Sequence, residues 1–197
     1  MRISQAMPAG MLALILASSC TRSSNHARRL IDCHHYPNLE PAACEQKSDG
    51  GIVASRQSLK DISFGPEGLG AMIVDKRLCF VNRQGKTAPA FNFDNGPDYV
   101  VEGMARTVKN GKVGFVNTQL DEVVAPVWDF ASPFEHGVAE VCMGCVSTPV
   151  RPGSEDTSMV GGKWGYIDKR GKVIVPVVYD DPRNLPPAEV AAKQAIR

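Results

Sequence analysis

The stretch Gly162-Lys163-Trp164-Gly165-Tyr166-Ile167-Asp168-Lys169-Arg170-Gly171-Lys172-Val173-Ile174-Val175-Pro176 decides the fold class. Apolar and β-branched residues alternate over Gly165 to Ile167 and again over Lys172 to Val175, the pattern of strands. Between them, Asp168-Lys169-Arg170-Gly171 suits a type I turn closed by a residue at positive φ. The Asp168 carboxylate can accept from N–H groups of its own turn, and Gly171 takes a backbone angle other residues avoid. The stretch predicts a β-hairpin.

Working outward, the same order of residue types occurs twice more. Arg77-Leu78-Cys79-Phe80-Val81-Asn82 and Lys112-Val113-Gly114-Phe115-Val116-Asn117 match Lys163-Trp164-Gly165-Tyr166-Ile167-Asp168. Each runs basic, apolar, small, aromatic, β-branched, then Asn or Asp. Phe80 and Phe115 lie 35 positions apart. Gly68, Gly103 and Gly137 keep the same register, at separations of 35 and 34. Pro89, Pro126 and Pro176 follow the three motifs, each with an aromatic residue shortly after it: Phe91, Trp128 and Tyr179. Three markers on one period define an internal repeat. Asn82-Arg83-Gln84-Gly85 repeats the closing turn, whereas Asn117-Thr118-Gln119-Leu120-Asp121-Glu122 lacks the glycine and predicts a longer, looser one. Asn110-Gly111 predicts a two-residue type I′ turn at the other connection. The prolines lack an N–H and predict strand ends or sheet edges.

These motifs resemble the WG-repeat family, named for the pair seen here as Trp164-Gly165. The resemblance covers roughly residues 64–181; Val113-Gly114 keeps only the glycine, and Leu78-Cys79 keeps neither residue. It implies an all-β array of hairpin repeats, open or closed and propeller-like, with binding or scaffolding roles and no catalytic residues to carry over. Phe80, Gly85, Gly111, Gly114, Phe115, Trp128, Trp164, Gly165, Tyr166, Gly171 and Pro176 are the architectural positions. Trp164 is expected to pack, and Gly165 to admit a neighbouring strand. Residues 61–71 resemble the second half of a unit, and the array stops after a first half near Asp181. Joining these halves would complete one unit and hide two edges.

Phe115 and Tyr166 are 51 positions apart where 35 are expected. The excess, residues 142–161, replaces the Asn110-Gly111 type of turn and predicts a long loop at a hairpin tip. Arg151, Glu155 and Asp156 are its candidate binding residues. Its Cys142-x-x-Cys145 lacks the strand–helix setting of a redox dithiol, so a local disulfide is the expectation. Cys79 is left unpaired, as a small buried hydrophobe. Near the other end, Cys33, His34, His35 and Cys44 have two readings. Thiolate and imidazole suit zinc or copper. Adjacent histidines on an extended chain point to opposite sides, which favours a Cys33–Cys44 staple over a His34/His35 metal site.

Arg2, the apolar run Met11–Ala17 and Ser18-Ser19 before Cys20 form an export leader. The run is too short for a membrane span, which needs about 20 apolar residues. Its end resembles a bacterial lipobox, which would lipidate Cys20, though Leu16 stands one place early. Membrane attachment then comes only through that lipid, and the destination is the outer membrane or periplasm. The layout is a leader at 1–19, a linker and Cys/His segment at 20–50, a repeat domain at 51–181 and a tail at 182–197. The tail is rich in helix formers, and so short a helix is marginal unless it docks.

The chain has 22 Lys and Arg against 21 Asp and Glu, so nothing electrostatic points to nucleic acid. No nucleophile elbow or phosphate-binding glycine motif occurs. Asp129, Glu135 and Glu140 are the acids a two-carboxylate hydrolase would need to gather, and His136, beside Glu135, reads as a solvated turn residue ahead of a general base. The expectation is a non-catalytic, cofactor-free envelope module that binds a protein or polymer. The rival is a thiol- or metal-handling protein using Cys33, His34, His35 and Cys44 or the Cys142/Cys145 pair.

Overall fold

The computed structural model describes residues 30–93 and 95–195; the leader and Cys20 lie outside them. Three strands come first: β1 (Leu30–His35), β2 (Pro41–Gln46) and β3 (Ile52–Ala54). The first repeat is β4 (Leu69–Val74), β5 (Arg77–Asn82) and β6 (Thr87–Pro89). A small hairpin, β7 (Asn92–Phe93) and β8 (Gly96–Pro97), leads to the second: β9 (Met104–Lys109), β10 (Lys112–Asn117) and β11 (Glu122–Trp128). The two-residue β12 (Phe130–Ala131) precedes the third repeat, β13 (Val138–Pro149), β14 (Thr157–Asp168) and β15 (Val173–Tyr179). Helix α1 (Ala188–Ala195) follows. Each repeat is an antiparallel three-stranded meander, and the all-β array of hairpins is as the repeat pattern implied.

The turns explain the period. Asn110 and Gly111 sit at φ 52° and 74°, and Asp75 and Lys76 at 48° and 63°, the two left-handed positions of a type I′ turn. At the second connection all three copies use one device. Oδ1 of Asn82, Asn117 or Asp168 accepts from the N–H groups two and four residues on. The N–H three residues on donates to that same residue's carbonyl. The expected looser middle turn is therefore wrong. Leu120 takes the left-handed angle of Gly85 and Gly171, at φ 60°, and is only 3% exposed. The angle costs about 1–2 kcal/mol for a residue with a Cβ, whereas removing a buried leucine side chain costs about 2–5 kcal/mol, so burial wins.

The glycine of the motif has a measurable job. A Cβ on Gly165 would lie 2.5 Å from the Val175 carbonyl oxygen, and one on Gly114 would lie 2.4 Å from that of Val124. In both copies the facing strand bulges around its proline, so that Trp164 pairs with Tyr179 but Tyr166 with Val175, and Val113 pairs with Trp128 but Phe115 with Val124. Cys79 occupies this position in the first copy, and there the pairing with β6 runs without a shift. The side chain at that position and the bulge exclude one another. As expected, the prolines fall on edge strands: β6, β11 and β15 each end their sheet.

Residues 30–46 are not a separate segment. β1 pairs with β4, giving a six-stranded sheet in the order β3-β2-β1-β4-β5-β6. Its ends curl together: Ala54 N–H donates to the Gly85 carbonyl at 2.8 Å, and Val53 bridges to Lys86. The sheet is thus a nearly closed barrel. Cys33, Cys44, Met72, Val74, Cys79 and Val81 fill it. Cys33 and Cys44 form a disulfide, while burial pushes the free Cys79 thiol up to about 11. The half-repeats at the two ends do not complete one another, because β4 pairs with β1 and β5, and β15 pairs with β14.

The repeats then stack face to face. Phe80, on the outside of the barrel, packs with Ala105, Val116 and Leu120 of the second repeat. Phe115, on that repeat's far face, packs with Ala139, Val141 and Ile167 of the third, and its ring lies 4.5 Å from that of Phe134. Tyr166 packs on Ala191 of α1, so the tail docks as a cap where a fourth repeat would otherwise lie. Residues 142–161 also differ from expectation. They extend β13 and β14 into a paired ribbon, and only the tip around 150–156 is a loop.

Leu120→Gly isolates the opposing terms in the middle turn. Urea unfolding followed by tryptophan fluorescence should show a loss of about 2 kcal/mol, since relief of the angle offsets only part of the lost burial. A gain in stability would mean that the angle, not the burial, dominates there.

Candidate functional site, a groove at the base of a projecting ribbon

The pairing of β13 with β14 continues past the edges of its sheet. β12 covers β13 only at Val141 and Cys142, and β15 covers β14 only from Trp164 inward. From Val146 to Gly161 the ribbon is exposed on both faces apart from Ser154 and Met159, which are partly covered. Val146, Val150 and Val160 are among the exposed apolar side chains it carries. An unsupported two-stranded ribbon is marginal in water. This one is braced at its root by the Cys142–Cys145 disulfide. Gly144 and Gly162 face each other there at positive φ, and a Cβ on Gly162 would lie 2.4 Å from the Cys145 nitrogen. Gly144 N–H donates to Asp129 Oδ2 at 2.7 Å, and Asp129 Oδ1 accepts from Lys112 Nζ at 2.5 Å. Hydrogen bonds from that lysine and that N–H hold the Asp129 carboxyl below its ordinary range, and they tie the ribbon's root to the second repeat.

Beside the root lies an open groove of about 800 Å³. Phe91, Phe93, Phe130, Met159 and Trp164 line it, together with Ser147, Thr157 and Ser158 of the ribbon. Trp164 is 2% exposed, packs with the Cys142–Cys145 disulfide, and donates its indole N–H to the Gly161 carbonyl. Its ring is tilted against Phe130 with centroids 5.7 Å apart. Trp164 thus packs as expected and also lines the groove, while the close approach at Gly165 belongs to the β14–β15 pairing.

The sequence did not reveal the Arg106–Asp98 pair at the groove, and it offered Glu140 as a candidate acid without showing what surrounds it. Arg106 and Asp98 form a buried bidentate pair at 2.7 and 2.8 Å; Arg106 also donates to the Ala131 carbonyl and lies over the Phe91 ring at 4.2 Å. Glu140 lies opposite Tyr166 in the β13–β14 register, half-buried, and burial raises its carboxyl pKa. The signal for both was a charge in the middle of an apolar strand, in Met104-Ala105-Arg106-Thr107-Val108 and Val138-Ala139-Glu140-Val141. Of the acids considered together, Asp129 and Glu140 line this groove, while Glu135 is exposed beside His136. Arg151, Glu155 and Asp156 stand at the ribbon tip and are exposed, outside the groove.

The Cys/His segment is not brought to the groove. Cys33 and His35 point into the barrel, where His35 Nε2 is 2.9 Å from the Ser58 carbonyl oxygen. His34 lies outside, 2.8 Å from Asp32 Oδ1. Among the described residues no group of three or more His, Cys, Asp or Glu side chains could hold a metal ion, and no helix is long and apolar enough to cross a membrane.

Stacked three-stranded meanders on one period, each closed by the same turn, make this an array of β-hairpin repeats. The chain belongs to the WG-repeat family: the WG containing repeat matches residues 80–112, 114–144 and 164–181. No curated protein and no solved structure matches the chain.

Arg106→Met should cost about 3–5 kcal/mol, because it leaves Asp98 charged and buried without a cation. Adding Asp98→Leu should recover most of that loss in thermal melts. A single variant as stable as the wild type would show that the pair contributes no such constraint.

Proposed function

We propose that this chain is a non-catalytic binding module of the cell envelope, and that the projecting ribbon with the groove at its root is its binding surface. The observation that carries the reading is the ribbon itself. The stretch from Val146 to Gly161, two paired strands and their tip, is exposed on both faces apart from Ser154 and Met159, carries valines into solvent and contributes little to any core. Its root, by contrast, is fixed by a disulfide, paired glycines and an ion pair, which is how a recognition element is presented rigidly. The thiol-handling alternative has less support, since Cys33, Cys44, Cys142 and Cys145 are all buried.

Envelope placement is supported by the leader, by the lipobox-like Ser18-Ser19-Cys20 and by two disulfides, which persist in oxidising compartments. A mature N-terminus at lipid-modified Cys20 is the expected result of mass spectrometry on membrane-extracted protein. An unprocessed Met1 terminus would remove the tether from the reading.

Met143 and Lys163 are register partners, as Lys109 and Lys112 are across the Asn110-Gly111 turn. Replacing residues 144–162 by Asn-Gly, with Cys142→Ala, should therefore restore an ordinary repeat that still folds. Cross-linking in envelope extracts should capture a partner with the wild type and lose it with this variant. Undiminished capture of the same partner would rule out the ribbon as the binding element.

A further inference from the structure

The charges around the groove do not balance. Arg106 is neutralised by Asp98 and Lys112 by Asp129, which leaves Glu140 as the one charged side chain lining the groove without an ionic partner among the described residues. Its strand neighbours are aromatic or sulfur-bearing: Tyr166 lies directly across, and the next pair on that face is Cys142 with Trp164, against which Phe130 packs. No basic group offsets the effect of burial on its carboxyl, and its charge in turn raises the Tyr166 phenol, after burial the largest influence on it. A carboxylate beside tilted aromatic rings is the chemistry that holds a cation, through Coulomb attraction and the ring faces together.

A second feature adjoins it. Beyond Cys142, the edge of β13 that faces away from β14 has no strand partner among the described residues, and Cys145 and Ser147 of that stretch line the same groove. Such an edge offers alternating N–H and C=O groups to an extended chain. A small amine would use the carboxylate alone, whereas a polypeptide uses both.

We propose that the groove takes an extended polypeptide segment of a partner, laid along the free edge of β13 and fixed by one Lys or Arg side chain inserted beside Glu140. This rests on the binding-module reading and names the ligand class for it.

The test uses the full chain and heptapeptide pools, each with one position held as Lys, Arg, citrulline or norleucine and the others randomised. Fluorescence anisotropy should show the Lys and Arg pools binding at least ten-fold more tightly than the citrulline and norleucine pools. In Glu140→Gln that preference should fall below about three-fold, and the variant should melt no lower than the wild type, since it loses an uncompensated, half-buried charge. Equal binding of charged and neutral pools, or a preference that survives Glu140→Gln, would overturn the inference. Ribbon-dependent capture that Glu140→Gln leaves unchanged would do so while sparing the binding-module reading. Choline displacing the Lys pools at equal concentration would make the ligand a quaternary ammonium group and overturn the polypeptide assignment.

Discussion

Every repeat sheet in this chain is apolar on both faces, so each must be covered twice. That constraint orders the whole structure. Phe80, Phe115 and Tyr166 point toward the element that follows, and Val81, Val116 and Ile167 point toward the one before. A repeat in the middle finds both covers in its neighbours. The two ends find them elsewhere. At the start, β1 to β3 curl the first sheet around its own apolar side. At the far end, a helix of eight residues supplies alanines small enough to lie flat on Tyr166 and Val175. Caps of different architecture satisfy one requirement, which is the logic of one-dimensional arrays.

Within that stack, the only places where the chain can grow without disturbing a covered face are the hairpin tips. The third repeat grows at such a tip, and the growth remains a ribbon because both strands keep their pairing outward from Met143 and Lys163. The interruption at Gly144 and Gly162, where the disulfide sits, separates two regimes. Inward of it, side chains are selected for packing. Outward of it, past Cys145 and Met159, which still pack beside Trp164, they face solvent and whatever binds. The groove lies at that boundary, which is why it combines a buried tryptophan and partly covered phenylalanines with serine and threonine.

Much of this was legible in the sequence because the repeat presents the same local chemistry three times. The type I′ turn, the role of Gly165, the edge prolines and the two cysteine pairs all follow from short-range rules. The misses share a cause: they depend on what lies across space. Leu120 violates the turn rule because a core from another repeat receives it. The 142–161 segment reads as a loop, since serine, threonine, glycine and proline dominate it, yet pairing between its own halves overrides that composition. The strands before residue 51 carry too few alternating residues to announce a sheet, and their partner β4 is supplied by the repeat. Arg106 and Glu140 show only as charges in apolar strands, a mark that locates an oddity without saying what faces it.

Cys79 shares the barrel interior with the Cys33–Cys44 bond, an arrangement that invites thiol–disulfide exchange. The attacking species would be the thiolate, and with the thiol held near 11 only about one molecule in ten thousand carries it at neutral pH. The apolar packing that closes the barrel therefore also keeps its one spare sulfur chemically silent.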